Sequence, residues 1–212
     1  MKTSNFSKIE SSPTVFGIPV CHYKSHLSSF EDKYSDKFIF EKLEQVVEVV
    51  LSADIANCPR YIVLCGSPGS GKTHFMVGLY RALVQKLGFL QGEGAFFTTF
   101  TYLAEEIISL FSQSIPLRTS LATYEQAKWL FVDDFTATER IFKQDSLEFN
   151  IFRDILIDRH ETNSTLITSC NLSAIDFLSE MDRLFGNYIT SRLNGGKIVQ
   201  FPNVDFRKIR KI

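Results

Sequence analysis

Apolar residues in this chain fall into two kinds of run that alternate along its length. Short, nearly unbroken runs occur at Tyr61 to Cys65, Ala95 to Phe100, Trp129 to Val132, Thr165 to Ser169 and Lys197 to Phe201. Uninterrupted apolar runs of this length predict strands buried on both faces, as in a parallel sheet. Between them the apolar residues recur at helical spacing. Ile39, Leu43, Val46, Val47, Val50 and Leu51 predict an amphipathic helix from about Asp36 to Ser52. Thr73 to Leu87 predicts a second helix, closed by Gly88. Leu103, Ile107 and Leu110 mark a third over Tyr102 to Phe111, and Leu147, Ile151, Ile155 and Leu156 a fourth over Ser146 to His160. One helix is expected after Asn171 and a further one running to Leu193, with Gly195-Gly196 turning the chain into the last strand. Ser112 to Ser120, with Pro116 and Arg118, reads as a loop. Strands alternating with helices at this spacing predict an α/β domain with a parallel sheet covered on both faces. Met1 to Thr14 is polar and reads as a flexible arm, leaving residues 15–212 as one domain.

Composition supports a folded domain and narrows its partners. The chain has 212 residues, 44% hydrophobic and 22% charged, with a net charge of −1. That length and balance suit a single folded domain, and the charge gives no global basic field, so nucleic acid would have to meet a local patch. The candidate patches are Arg118 with Lys128, Arg140 with Lys143, and the tail Arg207, Lys208, Arg210 and Lys211, each of which also reads as ordinary solvated surface. The cysteines Cys21, Cys58, Cys65 and Cys170 form no C-x-x-C pair and have no His at ligand spacing. They argue against zinc, and Cys65 and Cys170 read as buried strand thiols. With no signal peptide and no apolar run of membrane-spanning length, a cytoplasmic location without membrane contact is expected.

The chemistry concentrates after the first strand. Gly66-Ser67-Pro68-Gly69-Ser70-Gly71-Lys72-Thr73 fits G-x-x-x-x-G-K-S/T, between a strand and a helix, and is followed by His74. Glycines let the backbone turn tightly enough to aim several N–H groups at phosphate oxygens, and the helix N-terminus adds to that field. Lys72 is expected on the β/γ oxygens of ATP and the Thr73 hydroxyl on Mg²⁺. Trp129 to Val132 delivers Asp133 and Asp134 at the carboxyl edge of the sheet, where ligands bind in open α/β folds. Asp133 is expected to share the Mg²⁺ with Thr73, and Asp134 to polarise the attacking water. Asn171 ends the Thr165 strand, where it would orient that water, cap the following helix, or do both. Arg192, at the end of a helix, reads from spacing alone as a surface residue.

Taken together, these stretches resemble the DnaC/IstB group of AAA+ ATPases. The resemblance is carried by G-S-P-G-S-G-K-T-H, V-D-D-F, I-T-S-C-N-L-S, I-T-S-R-L-N-G-G-K-I-V-Q-F and D-F-R, with Gly17-Ile18-Pro19 and Phe30 before them. It spans about Val15 to Arg207. It implies a P-loop NTPase of AAA+ type with a five-stranded parallel sheet in the order 5-1-4-3-2. It also puts Lys72 and Thr73 on the phosphate-loop pair, Asp133 and Asp134 on the second motif, Asn171 on the first sensor and Arg192 on the arginine finger. Such proteins assemble with ATP, bind single-stranded DNA, and either load a replicative helicase or assist a transposase.

The chain departs from the group in four places: Tyr188 stands where many members have a second Arg, Cys170 is an extra residue within the usual T-S-N, only some fourteen residues precede the ATPase core, and eleven follow Phe201. Neither a C-terminal lid domain nor a second sensor arginine is therefore expected. The resulting expectation is a slow ATPase, stimulated by oligomerisation or DNA, that serves a replicative helicase in the manner of DnaC. A transposition helper or a DnaA-related replication regulator shares the same core. A small-molecule kinase lacks support because no Arg-rich lid segment is present, and a non-hydrolysing switch rests only on Asp134 being shorter than Glu.

Overall fold

In the structure, a computed structural model, residues 18–31, 37–88, 94–136 and 139–209 are described. The arm expected over residues 1–14 lies outside them, as do Gly17, Arg210, Lys211 and the side chains of Phe30, Arg118 and Arg140. The described elements are, in order, α1 (Leu27–Glu31), α2 (Lys37–Leu51), β1 (Tyr61–Cys65), α3 (Lys72–Leu87), β2 (Ala95–Thr99), α4 (Phe100–Ser112), α5 (Leu117–Gln126), β3 (Trp129–Asp133), α6 (Leu147–Glu161), β4 (Thr165–Cys170), α7 (Ala174–Leu193), β5 (Lys197–Gln200) and α8 (Phe206–Ile209). Two short 3₁₀ turns join them at Val20–His22 and Glu139–Phe142.

The strands form one five-stranded sheet, ordered β2-β3-β4-β1-β5, with every pairing parallel. This is the order 5-1-4-3-2 implied by the resemblance. Side chains alternate across a strand, so each strand feeds two cores. Tyr61, Val63 and Cys65 of β1 and Leu130 and Val132 of β3 face a cluster closed by α4, α5, α6 and α7. Ile62, Leu64, Phe97, Phe131 and Ile167 face a second cluster closed by α2 and α3.

Helix α5 corrects the expected loop over Ser112 to Ser120. Pro116 sits just before its first residue, in the extended conformation, and so opens the helix. Leu121 and Tyr124 bury against the core, and the fully buried guanidinium of Arg159 on α6 donates to the carbonyls of Tyr124 and Ala127. That arginine satisfies the end of α5 and fixes where β3 begins. The two helices expected after Asn171 form one helix, α7, interrupted at Gly186, whose φ of 61° and ψ of −168° are accessible essentially to glycine alone.

The segment from Ile18 to Glu31 is seated on α3. Arg81 donates to the Tyr23 carbonyl, and Ser29 Oγ lies 2.9 Å from His74 Nε2. Gly78 permits this approach, because a Cβ there would lie 2.8 Å from the Leu27 backbone nitrogen. Gly78→Ala is therefore expected to destabilise the fold by about 1–3 kcal/mol through overpacking. The loss should appear in urea denaturation, with faster proteolysis between residues 18 and 31.

Candidate nucleotide site

Strand β1 ends at Cys65 and the chain turns immediately into the loop, with Gly66, Gly69 and Gly71 all at positive φ. The loop's two sides are tied by Lys72, whose Nζ donates to Gly66 O at 2.7 Å and Ser67 O at 2.9 Å. Lys72 also reaches Asn171 Oδ1 at 3.2 Å, and Ser70 Oγ lies at 3.5 Å. Burial lowers the ammonium pKa from its ordinary value, and the Asp133 and Asp134 carboxylates oppose that shift. Pro68 is exposed at the loop, whereas His74 turns toward Ser29 and the His26 carbonyl.

The acidic pair sits at the end of β3, across β4 from the loop. Thr73 Oγ1 donates to Asp133 Oδ1 at 3.1 Å, and Ser169 Oγ on β4 donates to the same oxygen at 2.5 Å. Burial raises the Asp133 pKa, with the Ser169 and Thr73 hydrogen bonds working against it. Asp134 adopts a left-handed conformation, φ 48°, that a non-glycine residue rarely holds. It is held there from several sides. Asp134 N donates to Ser169 Oγ at 2.8 Å, while Asn171 Nδ2 and Thr136 Oγ1 donate to Asp134 Oδ1 at 2.9 and 3.2 Å. Strained backbone of this kind is often stored at functional sites.

Lys72, Thr73, Asp133, Asp134 and Asn171 thus form one connected cluster at the carboxyl edge of the sheet. Two further members, Ser169 and Thr136, were not singled out in the sequence. Ser169 bridges the two aspartates, and the only signal for it was a hydroxyl within an apolar strand. Behind the loop, Cys65 and Cys170 are buried free thiols with sulfurs 3.5 Å apart, as their strand positions predicted.

The cluster fits a phosphate chain and its cation. Ser67 Oγ is buried within the loop and has no hydrogen-bond partner among the described residues, and a phosphate oxygen is an acceptor such a hydroxyl can use. Thr73 and Asp133 present the hydroxyl and carboxylate that Mg²⁺ takes alongside phosphate and water oxygens. Among the described residues no group of three or more His, Cys, Asp or Glu gathers as a self-sufficient metal cage.

Arg192 lies elsewhere. Its Nη1 donates to Tyr188 O at 2.6 Å, and its guanidinium carbon stands 3.5 Å from the centroid of the Tyr188 ring. Its charge is felt by Tyr61, whose pKa is nonetheless pushed up to about 12 by burial. Tyr61 starts β1, whereas the loop follows its last residue, so the strand's length, about 13 Å, separates the two ends. Tyr188, which replaces an expected arginine, holds Arg192 by stacking.

The described helices include none long and apolar enough to cross a membrane. Residues 25–191 match the family model described as IstB-like ATP binding protein. No curated protein sequence matches the chain. Among solved structures, that of the DnaC helicase loader aligns with a TM-score of 0.68 and 17% identity, over 87% of this chain and 100% of that one. The structure of DnaI gives 0.64 and 16%, over 88% and 96%. The replication initiator DnaA bound to AMPPCP and single-stranded DNA gives 0.61 and 16%, over 85% of this chain and 50% of that one. At these identities the likeness establishes the fold alone, a five-stranded parallel sheet flanked by helices.

Because the Asp133 pKa is raised, its contribution to stability is full below the ordinary carboxylate value and is lost as pH rises through the raised value. Asp133→Asn removes that titration. Its melting temperature relative to the unsubstituted protein should rise with pH across that window and be least favourable in acid, while Mg²⁺-dependent nucleotide binding weakens. Thermal melts across the pH range with and without Mg-ATP check both.

Proposed function

The chain belongs to the family of IstB-like ATP binding proteins, and on that footing we propose that it is an ATPase of the DnaC type. In this reading it hydrolyses ATP between subunits and uses the cycle to load or remodel a replicative helicase on single-stranded DNA. The observation that carries the proposal is the division of the machinery between the two ends of the sheet. Loop, acidic pair and Asn171 share one edge, whereas Arg192 lies in the last turn of α7, just ahead of the turn into β5, whose Lys197 pairs with Ile62 near the opposite end of β1.

Within one subunit, Lys72 exchanges its loop carbonyls for β/γ oxygens, and the amides of Gly69 to Thr73 hold the phosphates in place. Thr73 and Asp133 would hold Mg²⁺, which would supply positive charge to offset that developing on the β/γ oxygens. Asp134 accepts a proton from the attacking water, and Asn171, bonded to both Asp134 and Lys72, fixes the line between water and phosphate. Arg192 of a neighbouring subunit supplies the remaining positive charge, a contribution worth about a thousandfold or more in rate. Homo-oligomers built on ATP or DNA follow from that requirement.

A transposition helper is the second reading, favoured by the family match itself, whose model is that of IstB-like proteins. The structural likenesses to DnaC and DnaI favour the replication reading. Affinity capture with ATP and Asp134→Asn, which retains the triphosphate, separates them: a replicative helicase recovered stoichiometrically supports the loader, and a transposase or initiator supports the alternatives.

Turnover per subunit is expected to rise with protein concentration and with added single-stranded DNA, measured as phosphate release. A turnover flat in both would contradict catalysis between subunits. Tyr188→Ala should retain nucleotide affinity while lowering assembly-dependent turnover several-fold, because Arg192 loses the ring that orients it.

A further inference from the structure

Cys65 and Cys170 stand opposite one another on the adjacent parallel strands β1 and β4, and each is the last residue of its strand. Residues paired in this way point to the same face, and both lie in the core closed by α4, α5, α6 and α7. They are fully buried free thiols with sulfurs 3.5 Å apart. Neighbouring strands run about 4.8 Å apart, inside the Cα separation of about 4.4–6.8 Å that a disulfide spans. A bond between them needs only a local shift of the two strand ends.

The next residue on each strand serves the nucleotide site. Gly66 O accepts from Lys72 Nζ at 2.7 Å, and Asn171 Oδ1 accepts from the same atom at 3.2 Å. Gly66 N donates to Leu172 O at 2.8 Å, tying the start of the loop to the chain after Asn171. On the other side Phe201 N donates to Cys65 O at 2.8 Å, and a Cβ at Gly66 would stand 3.0 Å from Phe201 Cβ. The entrance of the loop is therefore held between β4 and β5, with little room to follow a movement of Cys65.

The two thiols are unequal. A hydrogen bond from Cys65 lowers the Cys170 pKa, and the Lys72 charge acts in the same direction, whereas that hydrogen bond and burial raise the Cys65 pKa. Cys170 is thus the sulfur that carries thiolate character, the form that peroxides oxidise.

We propose that Cys65 and Cys170 form a modification site, oxidised by a hydroperoxide to a disulfide that weakens nucleotide binding in the adjoining loop, and restored by a dithiol. The Cys170 sulfur attacks one oxygen of hydrogen peroxide and the O–O bond breaks, giving a sulfenic acid and water. The Cys65 sulfur then attacks the sulfenic sulfur. The S–S bond forms, and the hydroxyl leaves with the Cys65 proton as a second water. Two thiols and one peroxide give one disulfide and two waters. The effect on binding rests on the nucleotide reading of the loop. Closing the sulfurs to about 2.05 Å draws the strand ends together, and the strain passes to Gly66 and Asn171, the two groups that position Lys72. In a preorganised site a displacement of about 1 Å is costly.

The test uses full-length Cys21→Ser protein, which lacks the exposed thiol and with it the competing bond between molecules. After hydrogen peroxide, alkylation and peptide mapping should find Cys65 linked to Cys170. Binding of a fluorescent ATP analogue with Mg²⁺ should fall about tenfold and recover with dithiothreitol. By reciprocity Mg-ATP should raise the reduction potential of the pair by about 30 mV, the same tenfold for a two-electron couple. Cys170→Ala in this background should bind the analogue as the reduced protein does and lose the response to peroxide. Absence of the linked peptide overturns the proposal. So does a linked pair with unchanged affinity, or an equal effect of peroxide on Cys170→Ala. A reduced protein that binds no nucleotide contradicts the reading of the loop, while the peptide map still decides the disulfide.

Discussion

Strand β4 lies between β3 and β1, and the site depends on that adjacency. With this order, the carboxyl end of β1 supplies the loop, that of β3 the two aspartates, and that of β4 the serine and asparagine between them. Thr73 joins Asp133 from the loop side, and Ser169 Oγ, bonded to Asp133 Oδ1 and to the Asp134 amide, ties β4 to β3. A hydroxyl at that position serves as donor and acceptor together, which an apolar residue of the same strand could not do. Its loss would leave a buried carboxylate with one partner fewer and a left-handed aspartate without its backbone tether.

Burial sets the chemistry of these groups. Lys72 and Asp133 are both desolvated, and each is pushed toward its neutral form. At Asp133 the Ser169 and Thr73 hydroxyls and the Lys72 charge oppose that shift, and at Lys72 the two carboxylates oppose it. Phosphate oxygens would take over the Lys72 ammonium from the Gly66 and Ser67 carbonyls, and a cation would take over the Asp133 carboxylate from the Thr73 hydroxyl.

Much of this was legible in the chain. The five strands, the phosphate-loop residues, the Asp133-Asp134 pair and Asn171 stand in short motifs whose position at strand ends follows from hydrophobic runs alone. The neighbours of those motifs were less accessible. Ser169 and Thr136 act across strands, so their partners depend on sheet order and register, which local pattern does not encode. Helix α5 was hidden because Pro116 reads as a breaker, although before a first helical residue it is an initiator. Its stability comes from Leu121, Tyr124 and the buried Arg159, a tertiary arrangement. The D-F-R stretch was visible as a motif, but the contact of Asp205 and Arg207 with Gly69 required the folded path of the last segment. Arg192 carried no signal of its own beyond the resemblance, and its separation from the loop became apparent only with β1 between them.

The division of the machinery between two ends of the sheet is tested most directly by mixing defective subunits. Asp134→Asn lacks the base but keeps Arg192, and Arg192→Ala keeps an intact nucleotide site. Each alone should release phosphate at a small fraction of the unsubstituted rate, and an equimolar mixture should recover a substantial part of it, because some interfaces then join one subunit's site to the other's arginine. A mixture no more active than its components, or an Arg192→Ala protein that is fully active alone, would contradict catalysis shared between subunits.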